Sequence, residues 1–548
     1  MKTLFGYCCL VVLLVATPVR GDVSRELLDI QEQFYLNGDG RNVFTGATVL
    51  EPSLVNAFYT ANGNQPAWTD RAYARQVVQL LRDSEQDGLN PADYHVEELQ
   101  DLVEEYRQPG SDRDVLRARA EVLLTDGVLL YAKHLIQGKV DPRTLDASWN
   151  YTRRKFDPVT TARALGNAIK ARQVTQVIQQ LRPDSDFYSL MRGELHRYRQ
   201  LAEQEQFKPV PTDQVLRLGD RHGNVVALRR RLGQMAYLPA QLEQSDYFDE
   251  NLEQAVIRLQ RDNGLDADGI VGQQSFRALN LSYRERVDRL RINLDRVRWI
   301  SQDVSDDFIV VNIAGYELYY MRDRKLQWET PVMVGTIDTR TPVFQQRLRY
   351  LEFNPTWNTP RSLIQRGLFA KFKSNPQYVL DKGYRLYDSS GEAVDPLTLD
   401  WGRYSASSFP FRVVQMPGPD NAMGRVKFMF PNRHAIYLHD TPSRSLFARS
   451  ERAFSAGCIR VKEPLELARI LLDDPDNWSA QQIRDLVDSG VPQRVVQMER
   501  EVDVLLMYWT ASPVSDSRIQ FHHDIYNLDP AALAALDALP VPSAFEQL

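Results

Sequence analysis

"HAIYLHDTPSRSLFARSERAFSAGCIRVKEP" (434–464) decides how the C-terminal half of this chain is read. "AIYLH" and "CIRV" read as strands or strand ends on either side of a polar loop. His439 closes the first and Cys458 opens the second. A period of two puts Tyr437 and His439 on one strand face. A free cysteine is most often a small buried hydrophobe. A thiol with an imidazole in reach is instead a nucleophile with its base. Gly457 lets backbone or substrate come close, and the N–H groups of Gly457 and Cys458 are candidates to hold a developing oxyanion. Spacing alone leaves both readings of Cys458 open.

Working outward, the strand signal extends on both sides. "DFIVVNIAGYELYYMRD", "LQWETPVMVG" and "LRYLEFNPTW", from about residue 305, are short runs rich in Val, Ile and Tyr, bounded by Gly, Asp and Pro. "EPLELARILLDD" and "SAQQIRDLVDSG" then read as helices, the second capped by Ser479. The region continues through "VDVLLMYWTA" and "IQFHHDIYN", and the Ala/Pro-rich end reads as a loose tail. Between about 365 and 412 stand "KFKSNPQYVLDKGYRLYDSSGEAV" and "SSFPF"; against minimal members of the family resembled below they look like an insertion over the site, expected to act as a lid that orders on substrate binding.

Residues 22–205 read as a helical scaffold. Ala74, Val77, Val78 and Leu81 fall at helical spacing before Gly88 and Pro91, and Leu116, Ala120, Leu123 and Leu124 form another stripe. After the junction at Pro209–Pro211, residues 210–282 read as a three-helix module. Its apolar positions are Val225, Leu228 and Leu232, then Ala255, Val256 and Leu259, then Phe276 and Leu279, with turns at Gly264 and "DGIVG" (268–272). The fold class is therefore multidomain α+β: a helical N-terminal scaffold, a small three-helix module and a mainly-β domain over 305–510, with 511–548 as a C-terminal extension.

The chain has 548 residues, 43% hydrophobic and 25% charged, which implies several folded domains. A net charge of −6 argues against a nucleic-acid partner. Residues 1–21 read as an export signal: Lys2, the apolar "LFGYCCLVVLLVATPV" (4–19) and small residues near Gly21. At sixteen residues that run is short for a bilayer span, so an uncleaved inner-membrane anchor is the second reading. Cys8 and Cys9 lie inside it, which leaves Cys458 without an intrachain partner after cleavage. A lone thiol in an exported chain points to a reactive group or an intermolecular pair. No CxxC or HExxH occurs and the eight histidines are scattered, so no metal site is expected, and no organic cofactor either. His434 and the pair His522–His523 are taken as surface or structural residues.

Together, "YLHDTP…RAFSAGCIRV" resembles the YkuD-type L,D-transpeptidases, whose motif is a His followed some 15–20 residues later by [S/T]-x-G-C-[apolar]-R. "VGTIDTRTPVF" (334–344), "FNPTWNTPRSLI" (353–364) and "VVQMPGPDNAMGRVKFMFPN" (413–432) are similar to what precedes the histidine in that family. The 210–282 module resembles the type 1 peptidoglycan-binding domain, with Arg230, Arg231 and Gln273 as departures. "FYTANGNQPAWTD…DGLNPADYH" resembles the scaffold domain of the large Gram-negative subgroup. Ala456 stands where many members carry histidine. The resemblance implies a periplasmic enzyme whose partners are peptidoglycan stem peptides and, further, other cell-wall synthases. Its cysteine takes the acyl group of a tetrapeptide stem, releases D-alanine and yields a 3→3 cross-link. Carried over by position, Cys458 is the nucleophile and His439 the base and acid. Gly457, Ser455 and Ala456 shape the oxyanion site. Arg460 holds a substrate carboxylate or caps a strand end; Tyr437 lines the site or is a half-buried strand aromatic. Trp357 lines the cleft or belongs to a core. An L,D-carboxypeptidase or a lipoprotein-attaching enzyme would use the same thioester. A non-catalytic peptidoglycan-binding scaffold is the other class, disfavoured because His439 and Cys458 stand together in an intact motif.

Overall fold

The computed structural model describes residues 23–37, 48–105, 113–146, 149–151, 153–239, 244–300, 304–514 and 518–546. The export segment read at 1–21 lies outside them, and among the described residues no helix is long and apolar enough to cross a membrane. The chain forms two compact units, one of residues 1–137, 155–182 and 537–548, the other of 138–154 and 183–536.

The first unit is helical, built around the helix Arg113–Gln137, which is buried almost without interruption from Ala118 to Ile136. Two acids on it act as caps for neighbouring segments. Glu121 accepts the N–H groups of Ala67 (2.8 Å) and Trp68 (2.9 Å), and Asp126 those of Leu50 (2.9 Å) and Glu51 (2.8 Å). Buried amides without such partners would destabilise the fold. The stripe Ala74, Val77, Val78 and Leu81 lies buried on the helix Arg71–Arg82, as its spacing requires. The end of the chain is not loose: the Ser543 N–H donates to the Leu50 carbonyl (2.9 Å), and Phe545 packs edge-on against Tyr35 (4.7 Å). Apolar Phe545 supplies the anchor that an Ala/Pro-rich composition hides.

In the second unit, helices Gly223–Gln234, Glu250–Asp262 and Gln273–Leu279 bury the eight apolar positions read from the sequence in one cluster with Phe248 and Val271. The departure at Arg231 has a structural role. Its fully buried guanidinium donates to the carbonyls of Leu279 (2.7 Å) and Leu281 (2.9 Å) and pairs with Glu205 (2.9 Å), satisfying the end of the third helix. The boundary read near 205 does not follow the packing. Helix Asp186–Gln204 buries Tyr188, Met191, Leu195 and Tyr198 against Leu290 and Leu294 of helix Tyr283–Arg298 and against Ala511 and Phe521. Periodicity shows that this helix has an apolar face, but not which partner covers it.

The remaining residues are mainly β. In chain order the strands are β1 (Phe308–Asn312), β2 (Glu317–Arg322), β3 (Lys325–Gly335), β4 (Phe344–Phe353), β5 (Trp357–Asn358), β6 (Tyr384–Tyr387), β7 (Ala393–Val394), β8 (Arg412–Gln415), β9 (Val426–Met429), β10 (Leu438–His439), β11 (Ala453–Ser455), β12 (Ile459–Val461), β13 (Arg494–Met507), β14 (Ala511–Pro513) and β15 (Ile519–Phe521). Nine form one sheet in the order β11-β3-β12-β10-β9-β4-β13-β1-β2, and β2 also pairs with β3, so the sheet closes on itself. The expected helices follow as Pro464–Leu472 and Ala480–Asp488, the latter opened by a Ser479/Gln482 capping box.

β5, β8, β6 and β7 form a separate four-stranded sheet, which makes the insertion a folded body over 357–415 rather than a segment awaiting order. Its own core explains why: Phe369, Phe372, Val379, Leu386, Trp401 and Phe409 are buried together, and Trp401 stacks on Phe409 (5.6 Å). Trp357 packs on this cluster. The neck is closed by the Asn421 amide, which donates to the carbonyls of Pro355 (3.0 Å), Gln415 (3.2 Å) and Met416 (2.9 Å).

Candidate active site

β10 and β12 run parallel, with Leu438 beside Ile459 and His439 beside Arg460, and the Ile459 N–H donates to the Tyr437 carbonyl (2.9 Å). Alternation then sorts the side chains. Leu438 and Ile459 point into the core, both fully buried, and Tyr437, His439, Cys458 and Arg460 share the other face. The sequence motif thus becomes a patch on a rigid sheet, with the histidine diagonal to the cysteine across two paired strands. Antiparallel neighbours extend the row that passes through His439: Lys427 lies beside it on β9, Glu352 beside Lys427 on β4, and Met333 beside Arg460 on β3.

The Cys458 thiol is half-buried and free, 3.8 Å from the Ala435 carbonyl. Burial pushes its pKa up, opposed by the Tyr437 N–H and the cations Lys427 and Arg460. His439 is 4% exposed, and its Nδ1 lies 2.5 Å from the Asp440 carbonyl. That contact requires Nδ1–H as donor and leaves Nε2 unprotonated as the acceptor. Burial, then Arg460, push its pKa down to about 4. Both shifts favour thiol plus neutral imidazole over an ion pair. The Asp440 carboxylate does not touch the ring; it pairs with Arg425 (2.9 Å) and Arg444 (3.2 Å) and accepts the Arg425 N–H (3.0 Å). Its service is to hold the backbone that orients the imidazole. Gly424 is required there, since a Cβ would lie 2.3 Å from Asp440 Cβ.

The loop before Cys458 is tied on both sides. The Ser455 hydroxyl donates to the Cys458 carbonyl (2.5 Å) and accepts the Gly457 N–H (3.0 Å). This revises one expectation: the Gly457 amide is already engaged by Ser455, so it is not an oxyanion donor. The Cys458 N–H makes no hydrogen bond among the described residues and stays available. Gly457 adopts φ +112°, which disfavours a side chain. Ala456 is exposed beside it. The Arg460 side chain has no hydrogen bond or ion pair among the described residues, and its Nε is buried without a partner. Trp357 is partly buried and packs against the core of the capping body. His434 lies against Phe344 (5.0 Å), while His522 is half-buried and hydrogen-bonds the Ser512 hydroxyl (2.7 Å), a structural placement.

Sequence reading passed over three contributors. Lys427 Nζ sits 4.1 Å from the Tyr437 ring centroid and 3.9 Å from Glu352, supplying positive potential to both Cys458 and His439. Ala435, whose carbonyl faces the thiol, has φ +53°, held by Asn432, whose side chain accepts from the N–H groups of His434 (3.0 Å) and Ile436 (3.2 Å). Only the Asn432 turn chemistry carries a local signal.

No group of three or more metal-ligating side chains occurs among the described residues. Residues 306–488 match the family described as "L,D-transpeptidase catalytic domain", 53–195 the "Scaffold domain" and 221–279 the "Putative peptidoglycan binding domain". A Haemophilus influenzae protein named "Putative L,D-transpeptidase" is 37% identical over 244 residues, 44% of this chain and 48% of the relative. The match thus spans about half the length of that curated relative. Two solved L,D-transpeptidases, from Xylanimonas cellulosilytica and Stackebrandtia nassauensis, are similar over 55% of this chain and 100% and 97% of theirs. Their identities are 16% and 13% and their TM-scores 0.17 and 0.19, too low to carry an argument. The free cysteine, its histidine and the three matched regions together place residues 306–488 in the cysteine-dependent YkuD L,D-transpeptidase family, here joined to a scaffold domain and a peptidoglycan-binding domain.

Proposed function

We propose that the chain is a periplasmic L,D-transpeptidase that forms 3→3 cross-links between peptidoglycan stems, residues 1–21 being its export signal. The observation that carries this reading is the single sheet face holding Cys458, neutral His439 and an unpartnered Arg460. His439 takes the thiol proton as sulfur attacks the carbonyl of the third stem residue. The oxyanion forms against the Cys458 N–H. Collapse breaks the amide to the terminal D-alanine, whose nitrogen receives the proton from His439, and a thioester remains. The side-chain amine of a neighbouring diaminopimelate attacks it, His439 accepts a proton from that amine, and the thiol returns. Arg460 offers a charge-assisted partner for a stem carboxylate.

Mass spectrometry of the chain with a carbapenem, beside Cys458→Ala, tests the nucleophile: one adduct is expected on the wild type and none on the variant. An equal adduct on both overturns the assignment. Tetrapeptide muropeptides then separate the outcomes. Dimers support cross-linking, and tripeptide monomers alone would make the chain a carboxypeptidase.

A further inference from the structure

The loop that presents Cys458 is held by residues far outside the motif. Thr336 N–H (3.1 Å) and the Thr339 hydroxyl (3.0 Å) donate to the Ser455 carbonyl. The Thr341 hydroxyl donates to the Gly457 carbonyl (2.8 Å) while accepting the Gly335 N–H (2.9 Å). Thr341 is held in turn. Its N–H donates to the phenol oxygen of Tyr526 (3.0 Å), and that phenol donates to the Gly335 carbonyl (2.7 Å). Both residues are 2% exposed, so these bonds are shielded from competing water.

Tyr526 comes from beyond β15, on a turn that is itself locked. Its N–H donates to the Tyr508 hydroxyl (2.9 Å), which donates to Asp524 (2.5 Å), and the two rings stack at 5.5 Å. Asp524 accepts the N–H groups of Leu528 and Asp529, opening the helix Asp529–Asp537. None of this touches the thiol. Its effect passes through one peptide plane. In a trans peptide the carbonyl and the following N–H point opposite ways. Fixing the Gly457 carbonyl on Thr341 therefore fixes the direction of the Cys458 N–H, the amide left unengaged beside the nucleophile.

We infer that Tyr526 and Thr341 form a positioning relay that aims the Cys458 N–H as oxyanion donor, so that the C-terminal extension serves carbonyl attack rather than thiol reactivity in general. The inference rests on the proposed acyl transfer only for its chemical consequence; the geometry of the relay is independent of it.

The relay is tested by treating wild type and Tyr526→Phe with two electrophiles. Iodoacetamide alkylates the thiolate and needs no oxyanion donor. A carbapenem requires one: sulfur bonds to the lactam carbonyl carbon, the ring C–N bond opens, and the nitrogen takes the thiol proton. Expected for Tyr526→Phe are an alkylation pH profile within about twofold of wild type and carbapenem acylation slower by about ten- to a hundredfold. Thr341→Ser, which keeps the hydroxyl, should acylate near the wild-type rate, whereas Thr341→Val should fall with Tyr526→Phe. Amide exchange in the segment 455–460 should rise in Tyr526→Phe. Unchanged acylation, an equal fall with both electrophiles, equal rates for Thr341→Ser and Thr341→Val, or unchanged exchange at 455–460 would each overturn the relay. A wild type that is alkylated at Cys458 but never acylated would instead overturn the acyl-transfer reading, and the exchange comparison would still judge the relay.

Discussion

The nine-stranded sheet and the capping body at 357–415 are both small β structures in one unit, yet they are held together by different physics. Around Cys458 the sheet relies on hydrogen bonds of fixed direction: Ser455 to Gly457 and Cys458, Thr341 to Gly457, Asp440 to His439. The cap relies on rings. The ring centroids of Phe369, Phe372, Trp401 and Phe409 lie 5.3 to 6.3 Å apart in a buried cluster that holds the short strands by non-directional burial. Directed bonds suit a site where a thiol must meet a carbonyl in one geometry. Burial suits a body that needs only to keep its shape.

That contrast can be broken at several points. The largest effect belongs to the chemistry. His439→Ala should slow acylation of Cys458 by about a hundred- to ten-thousandfold while the melting profile of the cap stays put, as measured by single-turnover carbapenem labelling beside calorimetry. Next comes Trp401→Ala, which should destabilise the cap by about 3–5 kcal/mol. Raised amide exchange at 357–415 with unaltered iodoacetamide labelling of Cys458 is the expected outcome; altered labelling would show that cap and sheet open as one cooperative unit.

Acid should also separate the two bodies. His439 is buried and His522 half-buried, each with a pKa pushed down to about 4 from 6.5, desolvation being the main cause. An unfolded imidazole takes up a proton near 6.5 and the folded one does not, so stability present above pH 6.5 is lost as pH falls toward 4. A depression of this size corresponds to about 3 kcal/mol at most per histidine. The cap contains no histidine. Exchange protection in the sheet should therefore fall between pH 6.5 and 4 ahead of protection in the cap, and His522→Gln should remove part of that slope. The smallest effect concerns Lys427. Replacing it with Met withdraws a cation that lowers the Cys458 pKa, so the alkylation profile should move to higher pH, with a rate near neutrality lower by about two- to fivefold.

Much of the architecture is legible before folding is considered. The stripe at Ala74–Leu81, the eight apolar positions of the three-helix module and the Ser479 cap all follow from spacing within single helices, although the module's positions then pack together across three of them. The insertion was legible as an insertion but not as a folded body, because its aromatic residues gain a core only once four strands pair. The Ala/Pro-rich end reads as loose for a similar reason: Phe545 is a single residue in weakly patterned sequence, and its partner Tyr35 lies far away in the chain.

By itself, then, the sequence determined the kinds of element and the identity of the thiol and imidazole. Those follow from periodicity, composition and a short motif. Tertiary structure alone decided that the Gly457 N–H is bonded to Ser455 and its carbonyl to Thr341, that His439 is buried, and that Lys427 lies beside it and Tyr526 behind the Cys458 loop. The physical reason is range. Thr341 is 116 residues from Gly457 and 185 from Tyr526, and such partners meet only when β3, β11 and the turn after β15 are packed together.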